Sequence, residues 1–338
     1  MVYLTYLLFQ RQIDEPWTKI MMSYATLLYR YERFFKALKL EKIYELEGLS
    51  GIAVRCVSKA LRINAMFIDR LSNKIECGAS LRRGLVSKFL SRNEIFRNCH
   101  KNQRCFVIGN GPSIKSQDLS YLHNEITFVM NAFWKHPIIN LWQPDYYFLA
   151  APIFFDGSED SYEFLVELRT RVAKLKLFVP MYPMYPIKNE IHHIFDDQLY
   201  SVALSGSLAH GLSRWPDFTK AVPGVQSVSQ FAIMAAMFMG CSPIYLIGFD
   251  HDWLSHRTLD KHFYEGNILD KHFEMHGGDL SKFSYKNNAI AIVNLWNGYE
   301  ALRDVAQSRS TTILNATAGG FLDVFERVKY EDVLCIPV

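Results

Sequence analysis

The sequence predicts an α/β protein: a Rossmann-like, mostly parallel sheet with helices on both faces, plus a helical N-terminal region. Three observations predict it. From Arg104 onward, short continuous apolar runs recur, which suits strands buried on both faces. Stretches with helical patterning separate several of those runs. The first run ends directly in a glycine-rich turn, Gly109-Asn110-Gly111-Pro112-Ser113.

Residues 1–103 read as a helical, basic region, with helical candidates at Trp17–Leu46, Ile52–Leu71 and Ser80–Phe96. The opening run Met1–Phe9 is apolar but short, lacks a basic n-region and a small-residue cleavage site, and is followed by Arg11, Asp14 and Glu15. It is expected to be neither signal peptide nor membrane span. Residues 104–338 form the expected catalytic domain. Its strands are predicted at Cys105–Ile108, Ile126–Met130, Tyr146–Leu149, Leu177–Val179, Ile244–Ile247 and Thr312–Leu314. Its helices are predicted at Ser161–Lys176, Ser227–Met239 and Asn287–Ala306.

With 338 residues, 49% of them hydrophobic, the chain can build a large core, which excludes wholesale disorder. None of the six cysteines has CxxC spacing, so neither a zinc ribbon nor a thioredoxin-type site is suggested, and a reducing cytoplasm is the expected compartment. The net charge of +3 is unevenly spread. Residues 1–104 hold 19 Lys/Arg against 9 Asp/Glu, a balance of +10, and the remainder carries −7. Basic and aromatic residues interleave in Leu28–Lys36. Such a region is either a helical packing layer with solvated charges or a surface that rests on anionic lipid. No nucleic-acid reading motif accompanies it.

In parallel sheets, ligands bind beyond the carboxyl ends of the strands. Asn110, Asn131, Asp250 and Asn315 all fall there. Gly109 and Gly111 let the backbone turn tightly and approach a phosphate closely. Pro112 suits a first helical turn, and Ser113 can donate or cap. The turn is neither G-x-G-x-x-G nor a Walker A sequence. Gln226 and Ser227 precede an apolar helix, where Ser227 is a candidate N-cap and the free N–H groups form an anion site. Gly248-Phe249-Asp250-His251-Asp252-Trp253 contains the D-x-D pattern that can share a divalent cation with a diphosphate, although Asp250 could equally bind a ligand hydroxyl or a backbone loop. Five histidines follow that strand: His251, His256, His262, His272 and His276. Imidazole can deprotonate a hydroxyl near neutral pH. Their spacing matches no metal motif.

Cys105–Ser113, Val129-Met130-Asn131, Val222–Ser227 and Ile244–Asp250 together resemble bacterial family-42-type sialyltransferases. They also resemble the motility-accessory-factor glycosyltransferases and the MptE-like pterin diphosphokinase domain, and Asn315–Gly320 resembles a segment of the latter two groups. The resemblance covers about residues 104–330. It implies a CMP-activated nonulosonic sugar as donor, no required metal and inversion at the anomeric centre. Asn110 and Asn131 would contact the nucleotide, Ser227 a phosphate or the donor's carboxylate, and Gly248 would let the chain pass close to cytosine. The sequence also departs from that pattern. Ala151-Pro152 stands where an Asn-Pro is usual, and Gln226-Ser227-Val228 replaces Thr-Ser-Gly. The phosphate-binding tyrosines have no direct match, with Tyr264, Trp253 or Tyr285 as substitutes. His262 and His276 are both candidates for the general base.

Three readings follow. The first is an inverting glycosyltransferase that joins a nucleotide sugar to a glycan or glycolipid acceptor, cytoplasmic and resting on the inner face of the bacterial inner membrane. The second is a pterin diphosphokinase using ATP and magnesium, with Asp250 and Asp252 as ligands. The third is a non-catalytic nucleotide- or glycan-binding protein.

Overall fold

The computed structural model describes residues 89–181, 194–252, 263 and 285–335. Eight strands make one sheet there: β1 (Cys105–Ile108), β2 (Ile126–Met130), β3 (Tyr146–Phe148), β4 (Leu177–Met181), β5 (Leu199–Ala203), β6 (Ile244–Ile247), β7 (Ile313–Asn315) and β8 (Glu326–Arg327). Their spatial order is β5-β4-β3-β2-β1-β6-β7-β8, and every pairing is parallel. The helices are α1 (Glu159–Arg171), α2 (Val228–Phe238), α3 (Tyr285–Gln307) and α4 (Tyr330–Leu334), with short 3-10 turns between them. The expected fold class is observed. Of the N-terminal helical candidates, Trp17–Leu46 and Ile52–Leu71 lie outside the described residues, and the end of the third is a 3-10 turn, Arg92–Phe96.

Alternation along each strand divides the core into two layers. Cys105 and Val107 of β1, Phe128 of β2, Phe148 of β3 and Leu246 of β6 face α2 and α3. Phe106 and Ile108, Val129, Tyr147 and Ile247 face α1 and α4 on the other side. Both layers are apolar, which is why the strands read as continuous apolar runs.

The helices start where local chemistry allows. Ser158 caps α1 by accepting from the Ser161 N–H at 3.2 Å, with Glu159 and Asp160 in its first turn and Arg169 and Arg171 in its last. That cap sets the start two residues before the Ser161 expected from the apolar pattern. Helix α2 is buried on every side from Ser229 to Phe238, wedged between the sheet and α3. Its alanines let the neighbours close in. At Gly298 of α3, an added Cβ would lie 2.2 Å from the Gln230 amide nitrogen, so glycine is what lets the two helices meet there. Gln230 is fully buried, accepts from the Gln226 N–H at 3.0 Å and donates to the Leu295 carbonyl at 2.8 Å.

Among the described residues, no helix is long and apolar enough to cross a membrane.

Candidate functional site

The strand order creates the site. From β1 the chain steps outward through β2 to β5, while β6 to β8 extend from the opposite side of β1. The connections from β1 and β6 therefore run to opposite sides, which makes the carboxyl edge of this pair a switch point, the place where such sheets bind ligands. Helix α2 leads into β6, so its N-terminus lies at that same edge.

The two turns are locked together. Gly109 N–H donates to Ile247 O at 2.7 Å and Gly111 N–H to Gly248 O at 3.0 Å. Pro112 opens a 3-10 turn, Pro112–Ser116. The Asp250 carboxylate accepts from the Ser113 N–H at 3.1 Å and from the Ser113 hydroxyl at 2.8 Å. Gly248 has φ +70°, and a Cβ there would meet the Ile114 methyl at 2.5 Å. Gly320, at φ +73°, packs on the Asp250 backbone, and the Phe321 N–H donates to Asp250 O at 2.7 Å. Arg327 holds that last loop by donating to the carbonyls of Gly319 at 2.6 Å and Gly320 at 2.8 Å.

Asn110 is 6% exposed. Its amide donates to Met130 O at 3.0 Å, while its Oδ1 is buried with no hydrogen-bond partner. The Asn93 and Gln117 side-chain oxygens are orphaned too, but Asn93 is tied to β5 through Ser201 O and Gln117 to Ala316 O. Of these three, only Asn110 lies in the turn that follows β1. Its carbonyl accepts from the Phe263 N–H at 2.9 Å. Asn131 takes a left-handed conformation, φ 50°, and its carbonyl accepts from the Tyr147 hydroxyl at 2.6 Å. Tyr147 also accepts from the Trp134 N–H at 3.0 Å, so one buried tyrosine on β3 shapes the loop after β2.

Ser227 is the N-cap of α2 and accepts from the Ser229 N–H at 3.3 Å. Its hydroxyl lies 2.8 Å from that of Ser229, which lies 2.6 Å from the Tyr299 hydroxyl, itself 2.7 Å from His251 Nε2. His251 has φ 49° and is ringed by Phe249, Trp296 and Tyr299. Loss of water around the ring pushes its pKa down to about 3, so the imidazole is neutral at physiological pH.

The structure thus brings Gly109, Asn110, Gly111, Pro112, Ser113, Asn131, Gln226, Ser227, Gly248, Asp250 and Asp252 to one edge of the sheet. Trp253, His262, Tyr264 and His276 lie outside the described residues. Ser229, Tyr147 and Tyr299 escaped the sequence reading. A tyrosine within an apolar strand or helix reads as core, and only its hydroxyl partner shows otherwise.

Burial raises the Asp250 pKa above the usual 3.8, outweighing the hydrogen bonds from Ser113, and the nearby Asp252 charge adds to the rise. The fold therefore favours the protonated carboxyl. Its contribution to stability is full below pH 3.8 and is lost as pH rises through the raised value. Asp250→Asn is expected to flatten this part of the profile. Thermal melts taken upward from about pH 4 should decline less in the variant than in the wild type. Parallel profiles would show that Asp250 ionises in the folded protein as it does in the unfolded chain.

By fold and by the position of these groups, the chain is a Rossmann-like α/β protein with a cluster of polar side chains at its switch point. No family model and no curated protein matches the sequence. Among solved structures it is similar to a MAf glycosyltransferase from Magnetospirillum magneticum AMB-1, at 13% identity and a TM-score of 0.40. That match covers 69% of this chain and 34% of the other, so the chain spans about a third of that protein's length. It is also similar to the sialyltransferase CstII from Campylobacter jejuni in complex with CMP-3FNeuAc, at 13% identity and a TM-score of 0.40, over 67% of this chain and 86% of that one. The sialyltransferase CST-II in complex with a trisaccharide acceptor and CMP matches over the same shares, at 14% identity and a TM-score of 0.41.

Proposed function

We propose that the chain is an inverting glycosyltransferase that takes a nucleotide-activated sugar, a CMP-linked nonulosonic acid in first place, and transfers it to a bacterial surface glycan or glycolipid. One observation carries this reading. The Gly109–Ser113 turn meets the Gly248–Asp250 turn across the switch point, with the buried Asn110 Oδ1 unpartnered between strand ends. A nucleotide supplies the donors that such an oxygen lacks. The Gly109, Gly111 and Ser113 N–H groups are taken by Ile247 O, Gly248 O and Asp250, so the phosphate is assigned to the start of α2 and not to this turn.

In the proposed reaction an acceptor hydroxyl attacks the anomeric carbon as the bond from that carbon to the phosphate oxygen breaks. The nucleotide leaves with that electron pair, and the hydroxyl proton passes to a histidine. The dipole at the start of α2, with the Ser227 hydroxyl, offsets charge on the donor's anionic groups, the Ser229 and Gln230 N–H groups being held by Ser227 itself. His262 and His276 are the proposed bases. His262 is the sequence neighbour of Phe263, whose N–H rests on the Asn110 carbonyl, and that favours His262. The basic region of residues 1–104 suits an anionic membrane face.

No metal enters this scheme. Both Asp250 oxygens accept from Ser113, which is the geometry of a turn clasp, and burial disfavours the charged carboxylate that a magnesium ion needs. The pterin diphosphokinase reading is therefore second.

A thermal-shift panel of CMP, UDP, GDP and ATP should show stabilisation by CMP above the rest. CMP-sugar with acceptor should release free CMP in the presence of chelator. His262→Ala should lower kcat by about 10²–10⁴-fold. Silence of the whole panel would remove the transferase reading, and stabilisation by ATP with magnesium alone would replace it with the kinase. A ligand shift with no turnover would favour the binding protein.

A further inference from the structure

The hydroxyl chain from Ser227 to His251 crosses from the start of α2 through α3 to the turn after β6, and it joins four side chains in a row: Ser227, Ser229, Tyr299 and His251. We propose that His251 and Tyr299 are positioning residues that set which way Ser227 points its hydroxyl proton, so that Ser227 donates to the sugar donor's anionic group only when His251 carries its proton on Nε2. The inference rests on the transferase reading for the identity of the anion, but not for the coupling itself.

The argument is a count of protons. Each hydroxyl in the row has one hydrogen to donate. Two arrangements satisfy the three short contacts while the buried Ser229 and Tyr299 each spend their one proton within the row. In the outward one, His251 Nε2–H donates to Tyr299, Tyr299 to Ser229, and Ser229 to Ser227, which leaves the Ser227 proton directed away from the row. In the inward one, Ser227 donates to Ser229, Ser229 to Tyr299, and Tyr299 to an unprotonated Nε2. Ser227 then offers only lone pairs outward, which an anion repels. A neutral imidazole has one proton and two nitrogens, so choosing its tautomer chooses the arrangement. The pKa of His251, held at about 3, keeps the ring neutral and the choice two-valued.

The row is well placed to transmit this choice. Tyr299 is fully buried and Ser229 is 4% exposed, so water is kept from inserting into the middle of the row. His251 stands in the turn that also carries the Asp250 clasp of Ser113.

The test uses the full chain with ¹⁵N-labelled histidine and long-range ¹H–¹⁵N correlation spectra, which distinguish the two tautomers of His251. Ser227→Ala leaves the Ser229 hydroxyl only Tyr299 to donate to within the row. It should therefore drive His251 to the Nδ1–H tautomer in the ligand-free protein. Tyr299→Phe keeps the ring and cuts the row, so adding Ser227→Ala to it should no longer move the tautomer. Saturating CMP should move the wild type toward Nε2–H, and Tyr299→Phe should bind CMP about tenfold more weakly, with Ser229→Thr retaining the coupling. An unchanged His251 in Ser227→Ala, or an equal change with and without the Tyr299 hydroxyl, overturns the proposal whatever the protein binds. A tautomer change in Ser227→Ala together with silence toward CMP, UDP, GDP and ATP upholds the coupling and removes the transferase reading instead.

Discussion

Gly109→Ala is expected to be among the most damaging single substitutions in the described domain. The new Cβ would sit 2.4 Å from the Gly248 carbonyl oxygen and 3.1 Å from its carbon. Both are backbone atoms of a neighbouring strand end, so no rotamer change relieves the clash. Separating them would pull on the β1–β6 pairing, where Cys105–Ile108 lie against Ile244–Ile247 at the centre of the sheet. Overpacking of this kind costs about 1–3 kcal/mol where side chains can yield, and a backbone clash belongs at or above the upper end. A loss of ~3 kcal/mol should lower Tm by roughly 6–10 °C. Gly111→Ala should behave alike for a different reason. Its Cβ would fall 1.7 Å from Asp250 Oδ2, the oxygen that accepts from the Ser113 hydroxyl, and would force the clasp apart. Both variants should also lose nucleotide-induced stabilisation in a thermal-shift assay. A Gly109→Ala protein that melts within a degree or two of the wild type would mean that the two turns are not in contact in solution.

Most of the sheet was legible because its physics is local. β1, β2, β3, β4 and β6 are buried on both faces, and a buried parallel strand announces itself as an apolar run. The strands that escaped are β5 and β8. β5 follows Asp196-Asp197-Gln198 and contains Tyr200 and Ser201, so its run is broken. β8 is Glu326-Arg327, an exposed edge pair with no apolar residue. Its pairing partner β7 alone identifies it. The site divides along the same line. Turn residues such as Gly109, Gly111 and Gly248 could be picked from sequence, because glycine beside a strand end has few other uses. Partnerships could not. Nothing local links Asp250 to Ser113, 137 positions away, and the D-x-D spacing leaves open a cation, a ligand hydroxyl or a backbone loop, where the fold gives Asp250 the Ser113 hydroxyl and N–H. Tyr299 and Ser229 are 70 positions apart and sit in segments that read as plain core. Long-range polar pairing depends on how α2 and α3 dock, and apolar periodicity records only that they do.

Asn110→Ala should separate binding from stability, and by a wide margin. In the folded protein the side chain makes one hydrogen bond, to Met130 O, while its Oδ1 is buried without a partner. A buried acceptor left unpaired costs about 1–3 kcal/mol, and a neutral hydrogen bond contributes about 0.5–1.5 kcal/mol. Truncation relieves the first cost, forfeits the second contribution and leaves Met130 O unpaired, so these terms largely offset and the variant should lose only about 0.5–1.5 kcal/mol of stability. Binding has no such cancellation. A nucleotide that paired with Oδ1, as proposed, would relieve a desolvation cost already present in the free protein, so its hydrogen bond would be worth more than an exposed one. The loss expected is roughly 1.5–3 kcal/mol, or about 10- to 150-fold in Kd for CMP. Asn110→Asp sharpens the comparison. It keeps an acceptor but replaces the amide that donates to Met130 O with a second oxygen, so it should lose stability as well as nucleotide affinity. Calorimetric titration with CMP, beside melts of the two variants, reads both quantities. Asn110→Ala that binds CMP like the wild type would place the nucleotide elsewhere on the sheet edge. A large drop in its Tm would instead make Asn110 a brace between β1 and β2, held for the fold and not for a ligand.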